Sequence, residues 1–150
     1  MQALYNAVRS TGATNVVIAS GNNWANTLPS TRLVGTNIAY GVHVYTCPNS
    51  PYGADCQANP LDPSPMLSSW VTPSATVPVV ISEFGWPAKN DGRYVRNVIS
   101  YAEAHGWSGW VAFAWDGGTQ GTFDLLADTG LNYEPNATGM PVLDGFGKSS

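Results

Sequence analysis

The chain has 150 residues, 43% of them hydrophobic, which is enough to build the core of one domain, so we treat residues 1–150 as a single domain. Its net charge of −4 argues against nucleic-acid binding, which needs a basic surface. No apolar run reaches the roughly 18 residues of a membrane span, and the N-terminus lacks the apolar segment of a signal peptide. Only 11% of the residues are charged, a composition that favours a neutral polar ligand.

Aromatic residues are abundant, with six Trp and seven Tyr. Such side chains can fill a tryptophan-rich core. They can equally form platforms on which the C–H faces of sugar rings stack, because an aromatic ring offers a large, rigid apolar surface. The composition alone leaves both interpretations open.

Apolar periodicity predicts helices and strands in alternation along the chain. Helical spacing predicts helices over residues 2–11, 63–72, 92–105 and 139–146. Short β-branched runs predict strands over residues 15–20, 37–45, 77–83 and 110–115. Buried strands that alternate with helices indicate a parallel sheet, and polar or aromatic clusters at the strand ends are the pattern of a (β/α)8 barrel. Four strands amount to half of such a barrel.

The two cysteines, Cys47 and Cys56, lie in a loop rich in Pro, Gly and Asn. Their spacing fits neither a CxxC redox motif nor a zinc site. It predicts a local disulfide, with two free thiols as the alternative. On the chain-entropy model this bridge would stabilise the fold by about 2.5–3 kcal/mol and would imply an oxidising compartment. Two isolated histidines do not form a ligand set, and no motif points to a cofactor, so we predict neither a metal nor a cofactor.

Four segments together resemble glycoside hydrolase family 5, the cellulase family of (β/α)8 retaining glycosidases. They are ALYNAVRSTGATNVVIASGNNWA, NIAYGVHVY, VPVVISEFGWP and WSGWVAFAWDGG, and SEFGWP after an apolar strand is the most specific. The resemblance covers strands five to eight, the C-terminal half of the barrel. It implies an endo-acting β-glycosidase that cleaves β-glucan or a related polysaccharide, in an extracellular setting.

The resemblance also implies roles for individual residues. Glu83 matches the family's nucleophile, His43 and Tyr45 match the pair that flanks it, and Trp115 matches the tryptophan beneath the sugar. His43 and Tyr45 are two positions apart on one strand, so both point to the same face, where each can donate a hydrogen bond to a carboxylate. The structural alternative is a helix cap or ion pair for Glu83 and core packing for the others. Three further strand-end residues are candidates for substrate binding: Asn23, Trp24 and Trp86.

The second catalytic carboxylate is where this chain departs from the family. The family's acid/base glutamate lies in an Asn-Glu-Pro motif at the end of strand four, and we expect that position upstream of residue 1. The Glu134-Pro135 pair follows Tyr133 rather than Asn, so we do not assign it the acid/base role. We therefore expect weak or absent activity from this chain alone.

A half-barrel leaves two strand edges and one sheet face open, which predicts self-association. A two-fold homodimer would close eight strands, and a separate N-terminal half would serve as well. Two other functions remain open: a non-catalytic glycan-binding domain and a purely structural half-barrel. Separately, Asn136-Ala137-Thr138 matches the acceptor pattern for N-glycosylation.

Overall fold

The computed structural model describes residues 1–45, 59–117, 123–127 and 133–147. Cys47 and Cys56, and with them the predicted disulfide, lie outside the described residues. In the described ranges the strands are β1 Val17–Ser20, β2 Ile38–Tyr45, β3 Val79–Gly85 and β4 Gly109–Ala112. The helices described are α1 Gln2–Ser10, α2 Asn22–Ala25, α3 Ser64–Ser74, α4 Arg93–Ala104 and α5 Met140–Gly147.

The strands form one sheet in the order β1-β2-β3-β4, and every neighbouring pair is parallel. The predicted parallel sheet with alternating helices is therefore confirmed. Because parallel strands run in the same direction, their carboxyl ends meet at one edge of the sheet. Tyr45, at the end of β2, is paired there with Gly85, at the end of β3.

One face of the sheet is buried beneath helices α3 and α4. In β2 the alternate residues Tyr40, Val42 and Val44 are buried, because successive side chains of a strand point to opposite faces. Large apolar side chains from the helices and neighbouring strands complete this core. The core includes Ala19, Met66, Leu67, Trp70, Val79, Ile81, Phe84, Tyr94, Val95, Val98, Ile99 and Leu125.

Helix α4 shows why the sequence signals for helices are reliable here. Tyr94, Val95, Val98, Ile99 and Ala102 recur at helical spacing and are all buried against the sheet. At its start the Asp91 carboxylate accepts a hydrogen bond from the Arg93 backbone N–H at 2.9 Å, which satisfies a donor that the helix leaves unpaired. Past its end, Gly106 adopts a φ of +62°, the left-handed conformation that commonly ends a helix. In the described ranges, no helix combines the length and the hydropathy needed to cross a lipid bilayer.

Two local features differ from the sequence prediction. Strand β4 ends at Ala112 rather than at 115, because Ala114 instead pairs with a later segment: its N–H donates to Phe123 O and its carbonyl accepts from Leu125 N–H. The short helix α2 was not predicted, since Asn23, Trp24 and Ala25 adopt left-handed φ values of 56°, 50° and 62°. Sequence periodicity carries no signal for such a turn, because residues other than glycine rarely adopt the left-handed backbone conformation.

Candidate active site

A β-bulge in β3 determines which way Glu83 points. Val42 of β2 pairs with Ile81, but the next residue, His43, pairs with Glu83, so Ser82 is an extra residue in β3. The register of β3 against β4 shifts in the same stretch. Ile81 is buried on the helix-covered face, and without the bulge Glu83 would point the same way. The extra residue turns Glu83 to the opposite face, toward His43.

The Glu83 carboxylate accepts a hydrogen bond from a neighbouring phenol. The Tyr45 hydroxyl donates to Glu83 Oε1 across the β2–β3 pair. Burial, together with this hydrogen bond and the negative charge of Glu83, raises the pKa of Tyr45 well above its ordinary value. Tyr45 therefore keeps its proton at neutral pH and remains a donor to the carboxylate.

His43 lies on the other side of the same carboxylate. Its Nδ1 is 3.8 Å from Glu83 Oε2, a distance that fits an ion pair when the imidazole is protonated but exceeds that of a direct hydrogen bond. The two side chains are 30% and 33% exposed, so the carboxylate is oriented by its neighbours and remains open to a ligand. The predicted common face of His43 and Tyr45 is confirmed, since both are partly exposed while Val42 and Val44 are buried.

Small side chains line the sheet beside this group. A Cβ atom added to Gly41 would lie 2.6 Å from Ser82 Oγ, 2.7 Å from Ile18 Cγ2 and 3.0 Å from Ser20 Oγ. Gly41 therefore allows three neighbouring strands to bring their side chains together just below His43. Further along this face, Val111 of β4 is exposed. We call this side of the sheet, with Ile18, His43, Glu83 and Val111, the open face.

The other predicted site residues follow the strand ends without joining the polar group. Trp24 and Trp115 are 80% and 53% exposed, after β1 and β4 respectively. Asn23 is also exposed, in the left-handed turn that holds Trp24. Trp86 differs, since its ring packs against buried Tyr94 at a centroid distance of 5.6 Å and is partly buried on the core.

Three other acidic side chains in the described ranges form ion pairs with Lys or Arg. Asp91 pairs with Arg93, Asp124 with Lys89 and Asp144 with Arg96. Across residues 1–45, 59–117, 123–127 and 133–147, no three His, Cys, Asp or Glu side chains form a group that could hold a metal ion. The chemistry that the described site offers is therefore that of one oriented carboxylate with a phenol and an imidazole beside it.

Phe123 is a neighbour of the site that sequence reasoning missed. Its ring packs edge-on against Tyr45, with centroids 4.9 Å apart. Phe123 follows β4 in a polar stretch with no periodic pattern, so the sequence offers no signal that would place it beside β2.

A family model described as Cellulase (glycosyl hydrolase family 5) matches residues 1–119. Solved structures show the same fold. One is an endo-β-1,4-glucanase from Xanthomonas axonopodis pv. citri (a triple mutant), at 18% identity and a TM-score of 0.73, covering 99% of this chain and 54% of that chain. Another is XacCel5A in complex with cellopentaose, at 18% identity and a TM-score of 0.73, covering 96% and 52%.

A third similar structure is the β-glucanase SdGluc5_26A from Saccharophagus degradans in complex with cellotetraose, at 18% identity and a TM-score of 0.70. It covers 99% of this chain and 46% of that chain. A search of curated proteins finds no match. The chain thus spans about half the length of these structures, and its sheet corresponds to part of their barrel. Because the family model covers most of the chain, the protein belongs to glycosyl hydrolase family 5, the cellulase family.

Proposed function

We propose that residues 1–150 act as one glycoside hydrolase unit of the endo-β-1,4-glucanase type, with Glu83 as the nucleophile of a retaining reaction. The observation that carries this proposal is the partly exposed Glu83 carboxylate with the Tyr45 hydroxyl on one oxygen and His43 near the other. The cello-oligosaccharides bound by two of the similar structures support a β-glucan as the substrate class. Family membership supports an extracellular location.

The reaction would proceed in two displacements at the anomeric carbon. Glu83 forms a bond to that carbon as the bond to the leaving oxygen breaks, and the leaving oxygen takes a proton from an acid. Water then displaces Glu83 from the sugar. Tyr45 and His43 would orient the carboxylate for attack, since both approach its oxygens. We assign no acid/base carboxylate in this chain, so turnover of natural glycosides is expected to be weak or absent.

We place the sugar between the strand-end aromatic side chains. Exposed Trp24 and Trp115 offer free ring faces for stacking, with Asn23 as a hydrogen-bonding neighbour. Trp86 has less ring available because it packs on Tyr94. Trp115 would therefore contribute more binding than Trp86.

A glycoside with an activated leaving group tests Glu83 without the missing acid. In a dinitrophenyl 2-fluoro-β-cellobioside the dinitrophenolate leaves without protonation as Glu83 bonds to the anomeric carbon. The fluorine slows both displacements, but the good leaving group speeds only the first, so the sugar should accumulate on the nucleophile. We expect a mass increase of one fluorocellobiosyl group on the peptide that contains Glu83. Glu83→Gln should remain unlabelled, whereas Glu103→Gln, on the exposed surface of α4, should label like the parent chain. Labelling at any other residue would contradict the assignment.

The second candidate function is glycan binding without catalysis, favoured by the high exposure of Trp24. Quenching of tryptophan fluorescence by cellopentaose distinguishes the two. Binding that persists in the parent chain and in Glu83→Gln, with no covalent labelling of the parent, would support this second function and exclude the first.

We also propose that a second copy of the chain covers the open face from across a closed barrel and leaves the strand ends, with the Glu83 carboxylate, open to a sugar. In the part of the chain that the structure describes, strands β1 and β4 each have one neighbour in the sheet, and apolar residues at these edges are exposed, including Ile18 and Val111. Since all strands are parallel, a two-fold axis could set β4 of one copy beside β1 of the other and form a closed barrel without strand edges. Leu4 and Val8 of α1, also exposed, would be covered at the same junction.

Sedimentation measures this directly. The parent chain should sediment as a species of twice its 15.9 kDa mass. Ile18→Asp and Val111→Asp together should produce the monomer, because each carboxylate would be buried at the junction. Val34→Asp, at a more exposed position in the segment before β2, should remain dimeric. A parent chain that is monomeric at every concentration measured would refute the proposal. A complex that forms only with a separate N-terminal half-barrel would show that this partner, and not a second copy, covers the open face.

A further inference from the structure

The side chain of Asn136 is buried and uses its whole hydrogen-bonding capacity. Its Nδ2 donates to the carbonyl oxygens of Asp124 and Leu126, at 2.7 and 2.9 Å. Its Oδ1 accepts from the backbone N–H groups of Thr138 and Gly139, at 2.8 and 2.9 Å. A primary amide has two N–H donors and one oxygen with two acceptor sites, so no capacity is left over. Asn136 therefore joins the segment after β4 to the start of α5.

Thr138 extends this junction to the segment that follows β3. Its side chain is fully buried, and the hydroxyl donates to the carbonyl of Ala88. The same hydroxyl accepts from the backbone N–H of Asp91 at 3.3 Å. Residues 136–138 thus connect the segment that follows β3, the strand of Glu83, with the segment that follows β4.

Phe123 lies between the segment that Asn136 holds and the Tyr45 side chain of the candidate site. Its backbone carbonyl accepts from Ala114 N–H at 2.9 Å, and the neighbouring residue Asp124 is bound by Asn136. The ring lies over Gly85, where an added Cβ would come within 3.0 Å of Phe123 Cδ1, and meets Tyr45 edge-on. Tyr45 in turn donates to Glu83. Phe123 thus fills the space into which the Tyr45 ring would otherwise turn.

We propose that Phe123 and Asn136 are positioning residues for the candidate site: Asn136 holds segment 123–126, and Phe123 holds Tyr45 against Glu83. The proposal rests on the proposed function, because it concerns the same carboxylate. It also gives the Asn136-Ala137-Thr138 acceptor sequence a structural role. The Asn136 amide nitrogen is committed to two buried carbonyls, so the folded protein carries no glycan there.

Titration of Tyr45 tests the positioning without substrate. Ring-labelled tyrosine is followed by NMR from neutral to alkaline pH, and the Tyr45 signal is assigned from Tyr45→Phe. The groups that face Tyr45 are Glu83 and Tyr94, which both contribute to its raised pKa, and His43 is the other ionisable group at the carboxylate. Phe123→Leu should shift the pKa of Tyr45 downward, because water reaches the phenol and its hydroxyl leaves Glu83. Tyr101, whose pKa burial also raises and which packs against His105 and Trp107, serves as an internal reference that should not move.

The controls separate positioning from general damage. Phe146→Leu makes the same change on exposed α5 and should leave the Tyr45 titration unchanged, and Phe123→Tyr should restore the parent behaviour. Asn136→Ala should lower the Tyr45 pKa as Phe123→Leu does. If Asn136→Ala does not fold, Thr138→Val and Thr138→Ser, which remove and keep the hydroxyl, replace it, with the shift expected only for valine. Parent-like titration of Tyr45 in folded Phe123→Leu would overturn the proposal.

Two further readouts distinguish failure of this proposal from failure of the proposed function. Phe123→Leu should slow formation of the covalent fluorocellobiosyl adduct about tenfold, whereas Glu83→Gln forms none. If the parent chain forms no adduct but Tyr45 still shifts, the proposed function fails and the positioning stands. Secretion from a eukaryotic host gives the second readout: folded protein with a glycan on Asn136 would contradict the role of that side chain.

Discussion

The two faces of the same four-stranded sheet use their side chains for different purposes. On the covered face, Val42, Val44 and Phe84 are fully buried beneath helices, where close packing stabilises the fold. On the open face, Ile18, His43, Glu83 and Val111 are partly or largely exposed. Adjacent residues of one strand therefore serve different purposes: Phe84 packs in the core, whereas Glu83 is exposed on the open face. The difference teaches that stability and the proposed chemistry can be altered separately, even one residue apart.

The largest expected effect is on the covered face. Phe84→Ala removes a fully buried ring and should lower the free energy of unfolding by about 3–5 kcal/mol. Phe113→Ala, beyond the end of β4 where the ring is substantially exposed, should cost about 1 kcal/mol or less. Urea unfolding of the two variants measures this contrast. Equal losses would mean that burial beneath the helices does not determine how much a ring contributes to stability.

The next largest effect is expected at Gly85, at the end of β3 beside the Phe123 ring. Gly85→Ala would place a Cβ 2.7 Å from the backbone carbonyl of Phe113 and 3.0 Å from the Phe123 ring. Overpacking of this kind should cost about 1–3 kcal/mol and should also slow labelling of Glu83, because Phe123 must move. Gly147→Ala has open space around the added methyl and provides the matched control. Thermal unfolding and the labelling rate are measured on both variants. A parent-like labelling rate in Gly85→Ala would show that the position of Phe123 does not affect the reactivity of Glu83.

The dependence of stability on alkaline pH compares Tyr45, beside the candidate site, with Tyr94, which helix α4 packs beneath the covered face. Burial raises the pKa of Tyr94 in the core, and burial with the contact to Glu83 raises that of Tyr45. Above pH ~10 the unfolded chain releases both protons while the folded chain keeps them, so stability falls as pH rises. Each tyrosine contributes about 1.4 kcal/mol per pH unit to this fall. Tyr45→Phe and Tyr94→Phe should each reduce the slope by that amount, as measured by urea unfolding above pH 10; an unchanged slope would show that the proton of that tyrosine is not retained.

The smallest effect is in the left-handed turn at the end of β1. Asn23 has a φ of 56°, which a residue with a Cβ adopts at a cost and glycine adopts freely. Asn23→Gly should therefore raise the free energy of unfolding by about 0.5 kcal/mol, although glycine also loosens the unfolded chain. Asn6→Gly in helix α1 should lower it by about 0.3 kcal/mol, because asparagine is itself a poor helix former. Melting temperatures that move in the same direction would count against the strained conformation.

Much of the fold was predictable because its signals are local. The buried stripe of α4 and the β-branched runs of β1 to β3 identify elements within a few residues, and Gly106 marks a helix end. His43 and Tyr45 could be placed on one face because the two-residue repeat of a strand is rigid. Glu83 was found by its SEFGWP context rather than by periodicity.

The remaining features depend on contacts that local patterns do not encode. The bulge at Ser82 exists only relative to the partners of β3, and β4 ends early because Ala114 bonds to Phe123 and Leu125. Asn136 resembles a glycosylation acceptor in sequence, whereas its buried environment depends on segments 10 and 12 residues upstream. These features require tertiary structure.

The extra residue in β3 has a consequence for how relatives of this chain are interpreted. Glu83 faces His43 because Ser82 is an extra residue, and a strand that kept Ser82 but lost the bulge would turn the carboxylate toward the helices. Deletion of Ser82 would instead leave Ile81 opposite Val42 and Glu83 opposite His43, so the carboxylate would keep its direction without a bulge. A homologue with a one-residue gap at this position can therefore still present its glutamate to a sugar, whereas one of equal length without the bulge cannot, although an alignment shows the glutamate in both.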